Sequence, residues 1–331
     1  MKLYNIQFLR GISALLVCCF HFKDAINFQN LAIGDFLFKK GSIGVPIFFV
    51  ISGFIITHTT KNLTFDLNTW KNIKQFLIKR IIRIVPLYYF LTIMWIILGA
   101  TISYYFVGSG LSRLWHSFLF LPENNQFPIL YLGWSLNFEM YFYFIFAISF
   151  LFKKYRFHFV FIFFILCILL GHILPINYEY WKMMSSTLNL YFLIGIIFSL
   201  IMEKIRWKRT TIIYFTSFCI ATFSLFLTDW VPQITFVFQF ILISSLVLSF
   251  LLFDTKLTIK PHRFFVYLGD ISFSLYLSHP FIEILMRRFQ VAELFQIPFF
   301  IFKIAIVILV SCIIYELVEK RFTKYLKYRL L

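Results

Sequence analysis

Arg10, His21 and Asp24 fall in or just beyond one apolar run of this chain, and Glu139 falls in another. Asp270, His279 and Glu283 share a third run, and Glu316 lies near the end of the last. Inside a bilayer an ionisable group costs at least a few kcal/mol, so each is a functional candidate by default. His21 is the sharpest, because an imidazole can act as base or nucleophile near neutral pH. Asp24 lies three residues on, where a helix would bring it to the same face. Two bland readings stand beside these: a histidine hydrogen-bonding a neighbouring helix, and an aspartate lying in water at the outer interface. Arg80 and Arg83, in Lys79-Arg80-Ile81-Ile82-Arg83-Ile84-Val85-Pro86, offer two guanidinium forks on one helix face. Such a pair suits phosphate oxygens, or it anchors the chain to anionic lipid head groups.

The elements that must position these groups are membrane spans. Of the 331 residues, 61% are hydrophobic and 14% charged. Apolar runs of about 18 residues or more cross a hydrocarbon core, and they occur here near 6–26, 41–60, 81–106, 129–152, 157–174, 187–203, 210–228, 234–253, 264–286 and 299–318. The expected architecture is all-α: a polytopic transmembrane helix bundle of about ten spans forming one domain, residues 1–331, with no fused soluble module and no internal repeat. Met1 to Phe22 is interrupted by Arg10 and lacks a small-residue cleavage site, so it reads as a retained first span.

Charge sets the orientation. With the N-terminus in the cytoplasm, the loops carrying Lys71, Lys74 and Lys79, Lys153 and Lys154, Lys204 to Arg209, and Lys256 to Arg263 all face inward, as does the tail from Lys320 to Arg329. Only Lys23, Lys39, Lys40, Arg113, Lys182, Arg287, Arg288 and Lys303 remain outside. Both termini are therefore expected in the cytoplasm. The net charge of +17 follows this inside bias and forms no continuous basic stripe, which argues against a nucleic-acid partner. Cys18, Cys19, Cys167, Cys219 and Cys312 all lie in apolar runs without metal-ligand spacing, so no metal site and no disulfide framework are expected.

Orientation also sets depth. His21 lies roughly 16 Å beyond Arg10 at about 1.5 Å per residue, toward the outer face. Spans four and nine run in opposite directions, yet Glu139 near the start of one and His279 near the end of the other come out in the outer half. Trp134-Ser135-Leu136-Asn137-Phe138-Glu139 opens span four. A polar interior of this kind serves chemistry or transport. A secondary transporter or flippase typically shows corresponding halves with broken helices, and none is evident.

Taken in order, the segments resemble acyltransferase family 3, bacterial membrane enzymes that acylate sugars of cell-envelope glycans. The resemblance rests on Phe8-Leu9-Arg10-Gly11-Ile12 followed by Phe20-His21-Phe22, and on Gly44-Val45-Pro46 through Gly53-Phe54. Arg80-Ile81-Ile82-Arg83 and Trp134-Ser135-Leu136 through Glu139 continue it, as do Gly269-Asp270-Ile271-Ser272 through Ser278-His279 and Tyr315-Glu316-Leu317-Val318-Glu319-Lys320. It implies a multi-pass protein of the bacterial cytoplasmic membrane, surrounded by membrane lipid. It implies an acyl-CoA donor, usually acetyl-CoA, and an acceptor hydroxyl on a glycan or lipid-linked sugar. His21 would then be general base or acyl carrier, with Asp24 and Glu139 as further catalytic groups. Arg10, Arg80 and Arg83 would hold the donor, and Trp134, Ser135, Asp270 and His279 the acceptor.

Overall fold

A computed structural model describes residues 3–28, 31–63, 69–99, 102–228, 235–289 and 291–331. Lys2, a further inward charge by the same orientation, lies outside the described residues. The chain is helical almost throughout, as the apolar runs require, because only a helix satisfies its own backbone groups in hydrocarbon. In chain order the principal helices are α1 (Tyr4–Phe22), α2 (Gly44–Thr60), α3 (Thr69–Leu98), α4 (Gly133–Ser149), α5 (Arg156–Ile173) and α6 (Asn189–Ile201). They continue with α7 (Arg209–Leu227), α8 (Phe236–Leu252), α9 (Arg263–Asp270), α10 (Ser272–Arg287), α11 (Gln296–Ile314) and α12 (Lys320–Leu330). A two-residue antiparallel ribbon, Asn27–Phe28 with Leu31–Ala32, follows α1.

Among the described residues, eight helical stretches are long and apolar enough to cross a membrane, against about ten expected spans. Two features account for the difference. The stretch Gly133–Ile173 holds two of the expected spans, parted at Lys153, whose backbone (φ 48°, ψ −113°) is not helical. The expected span at 264–286 is broken at Ile271 into α9 and α10, each too short to be counted alone. The expected third span, 81–106, is shifted: its helix begins at Thr69 and ends at Leu98, so Arg80 and Arg83 lie within a continuous helix.

The chain divides into two compact units, Met1–Thr59 with Ile194–Ile314, and Thr60–Leu193 with Tyr315–Leu331. In the first unit α1 and α9 meet backbone to backbone. A Cβ on Gly11 would lie 2.8 Å from Leu268 Cβ and 2.9 Å from Gly269 N, and one on Gly269 would collide with the Gln7 carbonyl oxygen. Small residues allow this approach, which is how helices gain contact where lipid supplies no hydrophobic drive. The first turn of α1 is closed by Asp254, which accepts from Asn5 N and Ile6 N, each at 2.9 Å, and from Asn5 Nδ2. A carboxylate there satisfies donors that have no partner inside the helix and complements its dipole.

The second unit has an aromatic core. Phe142 and Phe192 stack with centroids 4.4 Å apart and both are fully buried. Arg156, buried, donates to the carbonyl oxygens of Thr60 and Lys61 at 3.0 and 2.7 Å, at the end of α2. By charge orientation Arg156 counts with Lys153 and Lys154 as an inward loop charge, and the structure makes it a structural cap.

Candidate active site

In the first unit, His21 near the end of α1 meets His279 of α10, with ring centroids 5.1 Å apart. Residues 258 apart in sequence therefore place two imidazoles face to face at a tilt of 34°. His279 is completely buried. Its Nδ1 lies 3.4 Å from the carbonyl oxygen of Leu275, and its Nε2 has no hydrogen-bond partner among the described residues. A carbonyl only accepts, so it favours the proton on Nδ1 and leaves Nε2 with a lone pair. Phe22 closes on the His279 ring edge-on at 6.3 Å.

His21 is half-buried and lines a cavity of about 460 Å³. Its other walls include Phe22, Asp24, Glu283, Arg287 and Lys303. Three helices supply them, α1, α10 and α11, together with the turn Lys23–Ile26. Asp24 belongs to that turn, because the α-helix ends at Phe22. The expectation that Asp24 shares the helical face of His21 is corrected accordingly. Its carboxylate is 79% exposed and pairs with Lys23 at 3.2 Å. Glu283 pairs with Arg287 at 3.3 Å.

Nearer the start of α1, Arg10 is buried, and its Nη1 donates to Gln7 Oε1 at 2.8 Å. Gln7 Nε2 in turn donates to Asp270 Oδ1 at 3.0 Å. Asp270, expected to bind the acceptor, lies at the end of a chain of hydrogen bonds that reaches Arg10 through Gln7. The Gly11 and Gly269 contact explains the placement, since it brings Gln7 and Asp270 onto adjoining backbone.

The second unit holds the other candidates. Tyr143 donates its hydroxyl to Glu139, one turn away on α4. The Arg80 guanidinium lies over the rings of Tyr143 and Phe76, at 5.6 and 5.4 Å from their centroids. Arg80 Nε is buried without a hydrogen-bond partner among the described residues, whereas Arg83 is exposed. The two arginines, expected as an even pair, are thus unequal. Trp134 packs edge-on against Phe138 at 6.0 Å, and Ser135 Oγ donates to the Leu132 carbonyl at 3.0 Å. Glu139, expected in one layer with the two histidines, belongs with Tyr143 in this unit.

Sequence reasoning missed Lys303, Tyr143 and Gln7. Lys303 was legible: a single ammonium within the apolar run of span ten is the signal that singled out the others, but its charge was assigned to the outer rim. Tyr143 and Gln7 gave no signal, since their roles depend on which neighbours the fold brings.

A protein-family profile described as an acyltransferase domain matches residues 3–316. The chain belongs to acyltransferase family 3. It is a multi-pass membrane acyltransferase, and both clusters described above lie within the matched residues. No curated protein and no solved structure matches the chain. The family match supports an enzyme over the transporter reading.

Proposed function

We propose that this acyltransferase moves an acyl group, acetyl first of all, from cytoplasmic acyl-CoA to a hydroxyl of a glycan or lipid-linked sugar of the bacterial cell envelope. The observation that carries the reading is His21 on the wall of a cavity with His279 directly behind it. His21 takes the proton of the acceptor hydroxyl as that oxygen attacks the thioester carbonyl, and the carbon–sulfur bond breaks to release CoA. The proton held by His21 then passes to the departing thiolate. In the equivalent double displacement, the acyl group rests on His21 first and the hydroxyl takes it in a second step. His279 positions His21 in either case, and Asp24 sets the charge at the cavity mouth.

Arg80 and Arg83 are assigned to the CoA phosphates. The buried, unpartnered Nε of Arg80 fits that role, because a guanidinium held by aromatic faces keeps its donors for a ligand. Glu139 acts through Tyr143, beneath Arg80. In the first unit Arg10, braced by Gln7, is assigned to the donor. Trp134 is assigned to the acceptor by stacking, with Ser135 shaping the same turn. In this reading both termini lie in the cytoplasm and the donor enters from that side, which the inward bias of the loop charges supports.

The test is transfer in sealed vesicles of known orientation, with radiolabelled acetyl-CoA supplied to one side. Label incorporated into envelope glycan only with donor on the cytoplasmic face is the expected result. Equal transfer from either face would break the sidedness, and absence of any acetyl-CoA turnover by the folded protein would remove the donor assignment.

A further inference from the structure

Three cations and two carboxylates border the His21 cavity, counting Lys23, the neighbour of its wall residue Asp24, and all but one of them are matched in pairs. Asp24 pairs with Lys23, which also bonds Asp35 at 2.5 Å, and Glu283 pairs with Arg287. Lys303 is the remainder: Glu283, already paired with Arg287, acts on it electrostatically without a direct ion pair. Its side chain is buried, at 7% exposure, in the wall of the cavity. Among the described residues its ammonium makes no salt bridge and no hydrogen bond. It is held instead over two aromatic faces, Phe299 at 4.9 Å and Phe22 at 5.8 Å.

A buried ammonium is expensive unless something compensates it, and a cation–π contact offsets only part of the cost. Ring faces also leave all three N–H donors of the ammonium uncommitted. Phe22 touches the His279 ring as well, so the same aromatic borders both the lysine and the histidine pair. A cation so placed is built for an anion that enters the cavity with the substrate.

We propose that Lys303 is the specificity residue for an anionic acceptor: it binds a carboxylate or phosphoryl oxygen of the sugar whose hydroxyl is presented to His21. This rests on the reading of the cavity as the acceptor site. It narrows the acceptor to acidic glycans, either uronate-bearing or phosphodiester-linked, and it disfavours neutral sugars. The lysine gives a single-point contact that tolerates either anion, whereas a guanidinium fork would select planar, two-oxygen partners.

The experiment uses the full-length protein in nanodiscs of phosphatidylcholine alone, and of phosphatidylcholine with phosphatidylglycerol. Three oligosaccharides of equal length serve as probes: one neutral, one carrying a uronate, one joined through glycerol phosphate. Direct binding of each and acetyl transfer to each are measured for the wild type, Lys303→Gln and Lys303→Arg. The expected result is that the wild type binds an acidic probe at least tenfold more tightly than the neutral one. Lys303→Gln removes that preference, lowering acidic-probe binding to the neutral-probe level, while Lys303→Arg keeps most of it. Equal losses for acidic and neutral probes in Lys303→Gln overturn the proposal. So does a wild type without acidic preference, or a lysine effect that appears only with phosphatidylglycerol, which would assign the ammonium to a lipid head group. Lys303-dependent acidic binding without any transfer would uphold the anion subsite and overturn the acetyl-transfer reading alone.

Discussion

The two polar clusters of this protein hold their charges by different means. Around His21 the charged groups border open space: His21, Lys303, Asp24 and the Glu283–Arg287 pair line a cavity, and His279 lies buried behind His21. Around Arg80 there is tight aromatic packing, with one guanidinium over two rings and a tyrosine hydroxyl tied to a glutamate. Groups facing a cavity can meet a substrate's reacting atoms. A cation braced by rings is rigid, and suits a fixed anion such as a phosphate. The contrast teaches that burial alone does not mark a catalytic group, since Arg10, His279 and Lys303 are all buried. What separates them is whether the polar atoms face a cavity or a packed neighbour.

The sharpest way to break this comparison is at His21. His21→Ala should reduce acetyl transfer by a factor of about a hundred or more, the usual scale of a lost acid–base group. The protein should stay folded, because one polar contact within a membrane bundle averages about 0.6 kcal/mol. Wild-type turnover from the folded variant would leave the cavity without its chemistry.

Arg80 should show the next largest effect, and in donor affinity rather than turnover. Hydrogen bonds to charged groups contribute about 1.5–3 kcal/mol each, so Arg80→Ala should weaken acetyl-CoA binding roughly tenfold or more. Arg80→Lys should rescue poorly, since an ammonium lacks the fork. Arg83→Ala should cost less, in keeping with its exposure. An equal loss from both arginines would restore the even clamp expected from their spacing, and calorimetry of donor binding decides the matter.

Gly269→Ala tests the packing beneath the first cluster. A methyl group there meets the Gln7 carbonyl oxygen, and overpacking of this kind costs about 1–3 kcal/mol. Thermal unfolding in detergent should report the loss. Donor affinity should fall with it, because Gln7 holds Arg10. Unchanged stability would mean that α1 and α9 can part without cost.

Asp24→Asn should have the smallest effect. Its carboxylate is largely exposed and paired with Lys23, and exposed pairs contribute about 0.2–1 kcal/mol. Turnover should change by less than about fivefold. A loss approaching that of His21→Ala would instead make Asp24 a direct partner in the chemistry.

Several of these features were plain in the linear chain. The apolar runs determined an all-helical membrane protein, because hydrocarbon leaves the backbone no other open-ended solution. The order of short motifs, from Phe8-Leu9-Arg10-Gly11 to Tyr315-Glu316-Leu317, determined the family, and with it acyltransferase chemistry. His21, His279 and Arg80 were legible because a polar residue among apolar ones is conspicuous wherever it falls. Partnership was not legible. His21 and His279 are joined only by the packing of α1 against α10, Asp270 reaches Arg10 only through Gln7, and Glu139 answers to Tyr143. Lys303 had its signal, but its burial against Phe22 and Phe299 did not show in a count of loop charges. A one-dimensional pattern records which groups are costly to bury, since that cost belongs to each residue and its solvent. Which group offsets the cost is a matter of distances between helices far apart in sequence, and only the tertiary fold sets those.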